Sequence, residues 1–206
     1  MSHQNLPMGN RVERKKEETK RKIISVAMNL FKKQGFNATT MEQIAAEVDI
    51  AKGTLYNYFP VKEAILDAFI QQTFQQKNTE RIAQIRKLPD TRSRITFILS
   101  DLINGVRSEK EIFEKYFVYR IQNMISLSRD QSTESGLGLL ETELIELGQK
   151  GAELRNDLPL DMFKALFEFV FVVVAQQFYK EPGRFIADKA IEQGVDLFMN
   201  GAKIQK

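Results

Sequence analysis

Within eight residues, Lys52 to Phe59 (Lys-Gly-Thr-Leu-Tyr-Asn-Tyr-Phe), the chain gathers an amine, a threonine hydroxyl, a carboxamide and two phenols around one glycine. None of these is a strong nucleophile or a good metal ligand at neutral pH. All of them can donate hydrogen bonds to phosphate oxygens or base edges, and Gly53 lets a sugar-phosphate backbone come close. The chemistry on offer is nucleic-acid recognition. The alternative reading of Tyr56 and Tyr58 is ordinary packing of amphipathic rings.

The rest of the composition points away from catalysis. There is no Cys, which removes disulfides, thiolate nucleophiles and cysteine metal sites, and the one His, His3, lies in the amino-terminal tail. Carboxylate pairs such as Glu109 with Glu111 and Asp157 with Asp161 are the remaining material for acid-base or metal chemistry. Such pairs usually solvate helix surfaces, so no enzyme activity, metal or cofactor is expected. At 206 residues, with 43% hydrophobic and 28% charged residues, the chain suits one domain or two small globular ones.

Charge is distributed unevenly. Residues 1–62 hold 11 Lys or Arg against 6 Asp or Glu, whereas residues 63–206 hold 19 against 21. A basic segment joined to a slightly acidic body suits a nucleic-acid reader attached to a regulatory or dimerising part. Much of the excess sits in Arg11, Arg14, Lys15, Lys16, Lys20, Arg21 and Lys22. Glu17 to Arg21 and Glu18 to Lys22 are i,i+4 pairs, so the cluster reads equally as a solvated helix face.

The elements that must position the 52–59 tract follow from apolar spacing. Residues 1–15 read as a flexible basic tail, and Lys16 to Gln34 as a first helix carrying Ile23, Ile24, Ala27, Leu30 and Phe31, with Gly35 as its stop. Thr39 and Thr40 offer a cap for a short second helix whose stripe is Met41, Ile44, Ala45 and Val48. After Asp49-Ile50-Ala51, residues 52–59 make a third helix with Leu55 and Phe59 on one face, facing Ile23, Ala27, Ile44 and Val48. Beyond Pro60, helices are expected over 61–86, 92–106, 109–128, 134–150, 160–179 and 183–199, giving an all-α chain of about nine helices. The 169–174 run, rich in Val and Phe, has strand composition, but its flanks lack turn signals and no partner strand exists.

Two short helices with a tight turn between them describe a helix-turn-helix. Residues 35–66, GFNATTMEQIAAEVDIAKGTLYNYFPVKEAIL, resemble the DNA-binding domain of the tetracycline-repressor (TetR) family. The matching features are Gly35-Phe36, Thr39-Thr40, Ile44-Ala45, Gly53, Leu55, Tyr56, Tyr58-Phe59 and Lys62-Glu63. The resemblance covers residues 16–70 and implies a DNA interface built from Thr40, Gln43, Lys52, Gly53, Thr54, Tyr56, Asn57, Tyr58 and Lys62. Thr40 would cap the second helix where its amides also favour a phosphate, and Tyr58 would contact a phosphate. Asp49 replaces the usual Gly of the turn, Ala51 the usual Ser or Thr, and Val61 the usual Ser before Lys62. Asp49 can still take left-handed geometry, whereas Ala51 forfeits a cap worth about 1 kcal/mol. Glu42 stands where many relatives carry Arg, so it would either repel a phosphate or accept from a cytosine amino group.

One recognition helix reads few base pairs, so a palindromic operator and a homodimer are expected, the latter by resemblance through the last two helices, 160–179 and 183–199. Residues 63–206 would form the effector-binding and dimerisation domain. Its aromatic density suggests a pocket for a hydrophobic or planar effector among Phe113, Tyr116, Phe117, Met124, Phe167 and Phe171, with Arg120 and Gln176 as polar handles. Taken residue by residue, core packing is the stronger reading of each such stripe, and only collectively do they suggest a cavity. The implied function is a ligand-responsive transcriptional regulator of repressor type. Effector-independent architectural DNA binding is the alternative, and a carboxylate-based enzyme a more distant one. The sequence shows no export signal, and its longest uninterrupted apolar run, Phe169 to Ala175, is well short of about 20 residues, so a bacterial cytoplasmic location without membrane association is expected.

Overall fold

The computed structural model describes residues 8–125 and 136–202, so His3 lies outside the described residues. Nine helices are seen among them and no strand: α1 (Met8–Gln34), α2 (Met41–Val48), α3 (Lys52–Tyr58), α4 (Lys62–Ile85), α5 (Thr91–Ser108), α6 (Lys110–Ile125), α7 (Gly138–Lys150), α8 (Leu160–Lys180) and α9 (Ala187–Ala202). The all-α expectation holds. The chain divides into two compact units inside α4, between Ile70 and Gln71.

In the first unit α1 turns Ile23, Ile24, Ala27, Met28 and Phe31 inward, a stripe that recurs once per helical turn. Gly35 ends the helix at φ +86°, a left-handed conformation that glycine adopts without a Cβ penalty, and its amide donates to Phe31 O at 2.9 Å. The sequence placed a flexible tail over 1–15; residues 8–15 are instead helical and continuous with α1. Alternating Lys, Arg and Glu are good helix formers, and Arg14 pairs with Glu18 at 3.5 Å on the exposed face.

In the second unit α5 is the central helix, with Ile95, Ile98, Leu99, Leu102, Ile103 and Val106 buried and contacts to α6, α7, α8 and α9. Asp90 caps it, its carboxylate accepting from the Ser93 amide at 2.7 Å, and that bond holds the Asp90 carboxyl below its ordinary range. Arg94 donates to the Ile85 and Leu88 carbonyls at 3.1 and 2.8 Å, satisfying the frayed end of α4. The helices α8 and α9 pack face to face. A Cβ on Gly194 would lie 2.7 Å from Val174 Cγ2, so only glycine permits this approach.

The strand-like 169–174 run lies in the middle of α8. By length and composition alone one helix passes as a bilayer span: α8 is 21 residues long and contains an 18-residue stretch with a mean hydropathy of 1.4. An uninterrupted-run criterion misses it because Lys164 and Glu168 break the run without lowering the average enough. Here Phe163, Phe167, Val170, Phe171, Val174 and Ala175 are buried within the unit. Two helix starts also differ from expectation. α7 begins at Gly138, and α9 at Ala187, because Pro182 and Gly183 lie in a turn.

Candidate functional site

The Lys52–Phe59 tract is displayed by its neighbours. Leu55 and Phe59 are 0% and 4% exposed, and the residues expected to receive them, Ile23, Ala27, Ile44 and Val48, are equally buried. Burying a side chain of this size contributes about 1.5–3 kcal/mol, enough to hold a seven-residue helix that would not persist alone. With that face inward, Lys52, Gly53, Thr54, Tyr56 and Asn57 stand exposed, and Tyr58 is half-buried. A Cβ on Gly53 would meet nothing within 4 Å, so packing within the chain does not require glycine there.

The turn between α2 and α3 is set by Asp49, at φ 61° and ψ 52°. Its amide donates to Ala46 O at 3.1 Å and the next amide, Ile50, to Ala45 O at 3.0 Å, so the carbonyls at the end of α2 are satisfied without glycine. Ala51 makes no side-chain cap for α3, as its residue type implied. Thr40 does cap α2. Its hydroxyl accepts from the Gln43 amide at 3.2 Å, and Gln43 Oε1 accepts from the Thr40 amide at 3.0 Å, a reciprocal capping box. Gln34 Nε2 also donates to Gln43 Oε1 at 3.1 Å, so that oxygen is occupied within the fold. Thr39 is 1% exposed and donates to Gly35 O at 2.9 Å.

Three lysines of the basic unit are engaged inside it. Lys22 Nζ donates to Val48 O at 2.7 Å, closing the carboxyl end of α2. Lys62 Nζ donates to Phe36 O at 2.7 Å and Thr39 O at 3.0 Å, lies 3.4 Å from Asn37 O, and stacks 4.5 Å from the Phe36 ring centroid. Lys52 is ion-paired with Glu42 and sits 5.8 Å from the Tyr56 ring centroid. The Lys52 bond holds the Glu42 carboxyl below its ordinary value, and the same bond raises Lys52. Glu42 thus neither stands alone nor faces outward unpaired. The roles of Lys22 and Gln34 escaped sequence reading because their partners are 26 and 9 residues away, with no motif linking them.

A family model described as bacterial regulatory proteins, tetR family, matches residues 23–69, which spans α1 from Ile23 through the first two turns of α4. Residues 23–69 thus form a TetR-family DNA-binding domain. YuxN of Bacillus subtilis (strain 168), an uncharacterized HTH-type transcriptional regulator, is 37% identical over 75 residues, 36% of this chain and 25% of YuxN. The aligned part is therefore about a quarter of that relative's length. KstR2 of Rhodococcus jostii (strain RHA1), an HTH-type transcriptional repressor, is 22% identical over 187 residues, 87% of this chain and 88% of KstR2. Among solved structures, Thermus thermophilus FadR, a TetR-family repressor in complex with lauroyl-CoA, superposes with a TM-score of 0.72 at 23% identity, covering 91% of this chain and 96% of FadR.

Aromatic density suggested an effector pocket in the body, and the structure brings together only part of that set. Phe113, Tyr116, Phe117 and Phe171 form a continuous aromatic cluster, with Phe113–Tyr116 centroids 5.9 Å apart and Phe117–Phe171 centroids 5.3 Å apart. All four are at most 8% exposed. Among the described residues, Tyr116, Phe117 and Phe171 line, with Arg120 and Glu168, a small void of about 20 Å³. Phe167 is turned away from this cluster, packing edge-on against Phe198 of α9 at 6.3 Å, because it lies on the α8 face that meets α9. Gln176 is exposed and is no polar handle for the void. The Met124 side chain lies outside the described residues. Arg120 is half-buried and faces Glu168 at 3.2 and 3.3 Å, so its charge is matched within the protein. A larger open cleft of about 370 Å³ lies elsewhere, between the end of α8 and the start of α9, lined by Lys180, Arg184, Phe185 and Lys189.

Among the carboxylates weighed for catalysis, Asp157 is held by a bidentate pair with Arg155, both contacts 2.6 Å, which keeps it below its ordinary range. No group of three His, Asp or Glu with metal-binding proximity occurs among the described residues.

Proposed function

We propose that the chain is a dimeric, sequence-specific transcriptional repressor whose DNA affinity is set by a small hydrophobic effector. The observation that carries the DNA reading is the exposed Lys52, Gly53, Thr54, Tyr56 and Asn57 surface, held on a buried Leu55 and Phe59. These polar groups have the donor chemistry that base edges and phosphates accept, and Gly53 leaves open space over the helix. Thr40, Gln43 and Tyr58 lie at its margin, with the amides of α2 beside Thr40 available to a phosphate.

Two copies are needed because a single short helix specifies too few base pairs. Met162 and Phe169 on α8 and Leu197 on α9 are 53–54% exposed, an apolar surface suited to meeting the same helices of a second copy. The effector reading rests on the aromatic cluster of α6 and α8. An effector seated there would part those helices and separate Arg120 from Glu168. A ligand that pays for this opening binds one conformation better than the other, which is the requirement for coupling to DNA affinity. The acyl-CoA complex of Thermus FadR makes saturated acyl-CoAs a first class to test.

The test is selection from a random duplex pool by the purified chain near physiological salt, followed by titration of the enriched duplex with lauroyl-CoA and with planar phenols. Recovery of a palindrome whose binding weakens with one ligand class supports the reading. Binding that shows strong salt sensitivity and no enrichment would point to architectural DNA coating instead.

A further inference from the structure

Within the second unit, α4 carries Phe74, Asn78 and Arg81 at i, i+4 and i+7, one stripe of the helix. Phe74 joins this stripe to the aromatic cluster of α6: its ring centroid lies 6.4 Å from those of Phe113 and Tyr116, and the Arg81 guanidinium sits 5.7 Å from it. Asn78 and Arg81 are 4% and 5% exposed, a depth at which polar side chains are normally fully paired.

Neither is fully paired here. Asn78 Nδ2 donates to Gly136 O at 2.7 Å, and because a carbonyl only accepts, that bond fixes which branch of the amide is nitrogen and leaves Oδ1 over. Arg81 Nε and Nη2 both donate to Asp101 Oδ2, the former at 2.8 Å, which leaves Nη1 over. Asn78 Oδ1 and Arg81 Nη1 are buried and have no hydrogen-bond partner among the described residues. A buried acceptor and a buried donor one helical turn apart are thus both unsatisfied, and a guest that satisfies the two together is favoured.

Their chemistry narrows that guest. A carboxylate, thioester or ether accepts from Arg81 but has no hydrogen for Asn78 Oδ1. An ammonium has hydrogens but meets a guanidinium. A hydroxyl does both, its oxygen accepting from Nη1 and its hydrogen going to Oδ1. Asp101 already balances the Arg81 charge, so the pair does not call for an anion. The rings of Phe74, Phe113 and Tyr116 favour a flat apolar body.

We propose that Asn78 and Arg81 of α4 form the polar end of the effector site and take the hydroxyl of a neutral phenol whose ring lies against Phe74. The proposal rests on the effector reading above and narrows its ligand class to phenols, with acyl thioesters rejected at this position.

The experiment is calorimetric titration of the full chain with para-propylphenol, its methyl ether and para-propylbenzoate, on wild type, Asn78→Leu and Arg81→Met. The ether keeps the acceptor and loses the hydrogen, and the benzoate replaces it by a charge. Wild type is expected to bind the phenol at least about tenfold more tightly than either analogue, because a site built for a hydroxyl rejects ligands that leave its polar groups unpaired. Both variants are expected to bind phenol and ether alike. Equal binding of phenol and ether by wild type, no binding of any of the three, or a preference that survives in both folded variants would each overturn the proposal. Should the variants fail to fold, the comparison of phenol with ether on wild type decides alone. Titrating the enriched duplex in parallel separates the two readings. If the phenol binds with the expected preference and DNA affinity does not change, the site stands and the effector reading falls; if lauroyl-CoA weakens DNA binding while the phenol does not bind, the effector reading stands and this proposal falls.

Discussion

Glu42 of α2 is ion-paired with Lys52, the first residue of α3, so the cation nearest the start of the reading helix is neutralised by the helix before it. The pair joins two helices of the reading unit on its exposed surface, where both side chains remain more than half exposed. Its contribution to stability is therefore small, and its effect should be felt in DNA binding.

Replacing Glu42 by Gln frees the Lys52 charge. The expected outcome is tighter binding to duplex DNA at low salt and a steeper salt dependence, by about one counterion, with little change in thermal midpoint. Acidification should act in the same direction. The folded carboxyl is held below its ordinary value, so the pair is intact above the unfolded pKa and is lost as pH falls through the folded one. Filter binding across KCl concentrations checks both; weaker binding by Glu42→Gln would instead mean that Glu42 reads a base directly.

Gly53→Ala separates a folding glycine from a ligand-facing one. A Cβ there meets nothing within 4 Å, and Ala is the better helix former by about 1 kcal/mol, so denaturant midpoints should stay level or rise. Affinity for the enriched duplex should fall by about tenfold if a sugar-phosphate backbone occupies that space. Unaltered affinity would remove Gly53 from the interface.

Gly194→Ala tests the contact between α8 and α9. The added methyl would lie 2.7 Å from Val174 Cγ2 and 3.0 Å from Val170 Cγ1, both on a buried helix face that cannot retreat. Overpacking of this kind costs about 1–3 kcal/mol, outweighing the gain in helix propensity. Chemical denaturation should register the loss, and a neutral variant would show that the two helices can slide apart freely.

Phe169→Glu places a charge on the exposed apolar side of α8, where the ring is 53% exposed. The isolated fold should tolerate this within about 0.5 kcal/mol, since no buried contact is broken. Sedimentation should then report a monomer where wild type is expected to sediment as a dimer. A variant that remains dimeric moves the interface elsewhere.

Much was legible from local chemistry alone. The apolar stripes of α1 and α2, the Thr40 cap, the left-handed Asp49 and the uncapped Ala51 depend on residues within a few positions of one another. Helix periodicity and capping are short-range physics, so they can be read along a line. The same holds for the exposed polar side of α3, which follows once Leu55 and Phe59 are turned inward.

Tertiary structure decided what each charge and each aromatic ring does. Lys22, Lys52 and Lys62 look alike in sequence, yet one closes the end of α2, one is matched by Glu42, and one is enclosed by three carbonyls. Phe113, Phe117 and Phe171 share a cluster while Phe167, on the same helix as Phe171, turns to Phe198. A side chain's type states which partners it can take. Which partner it has depends on distances between segments far apart in the chain, and those are settled only when the helices pack.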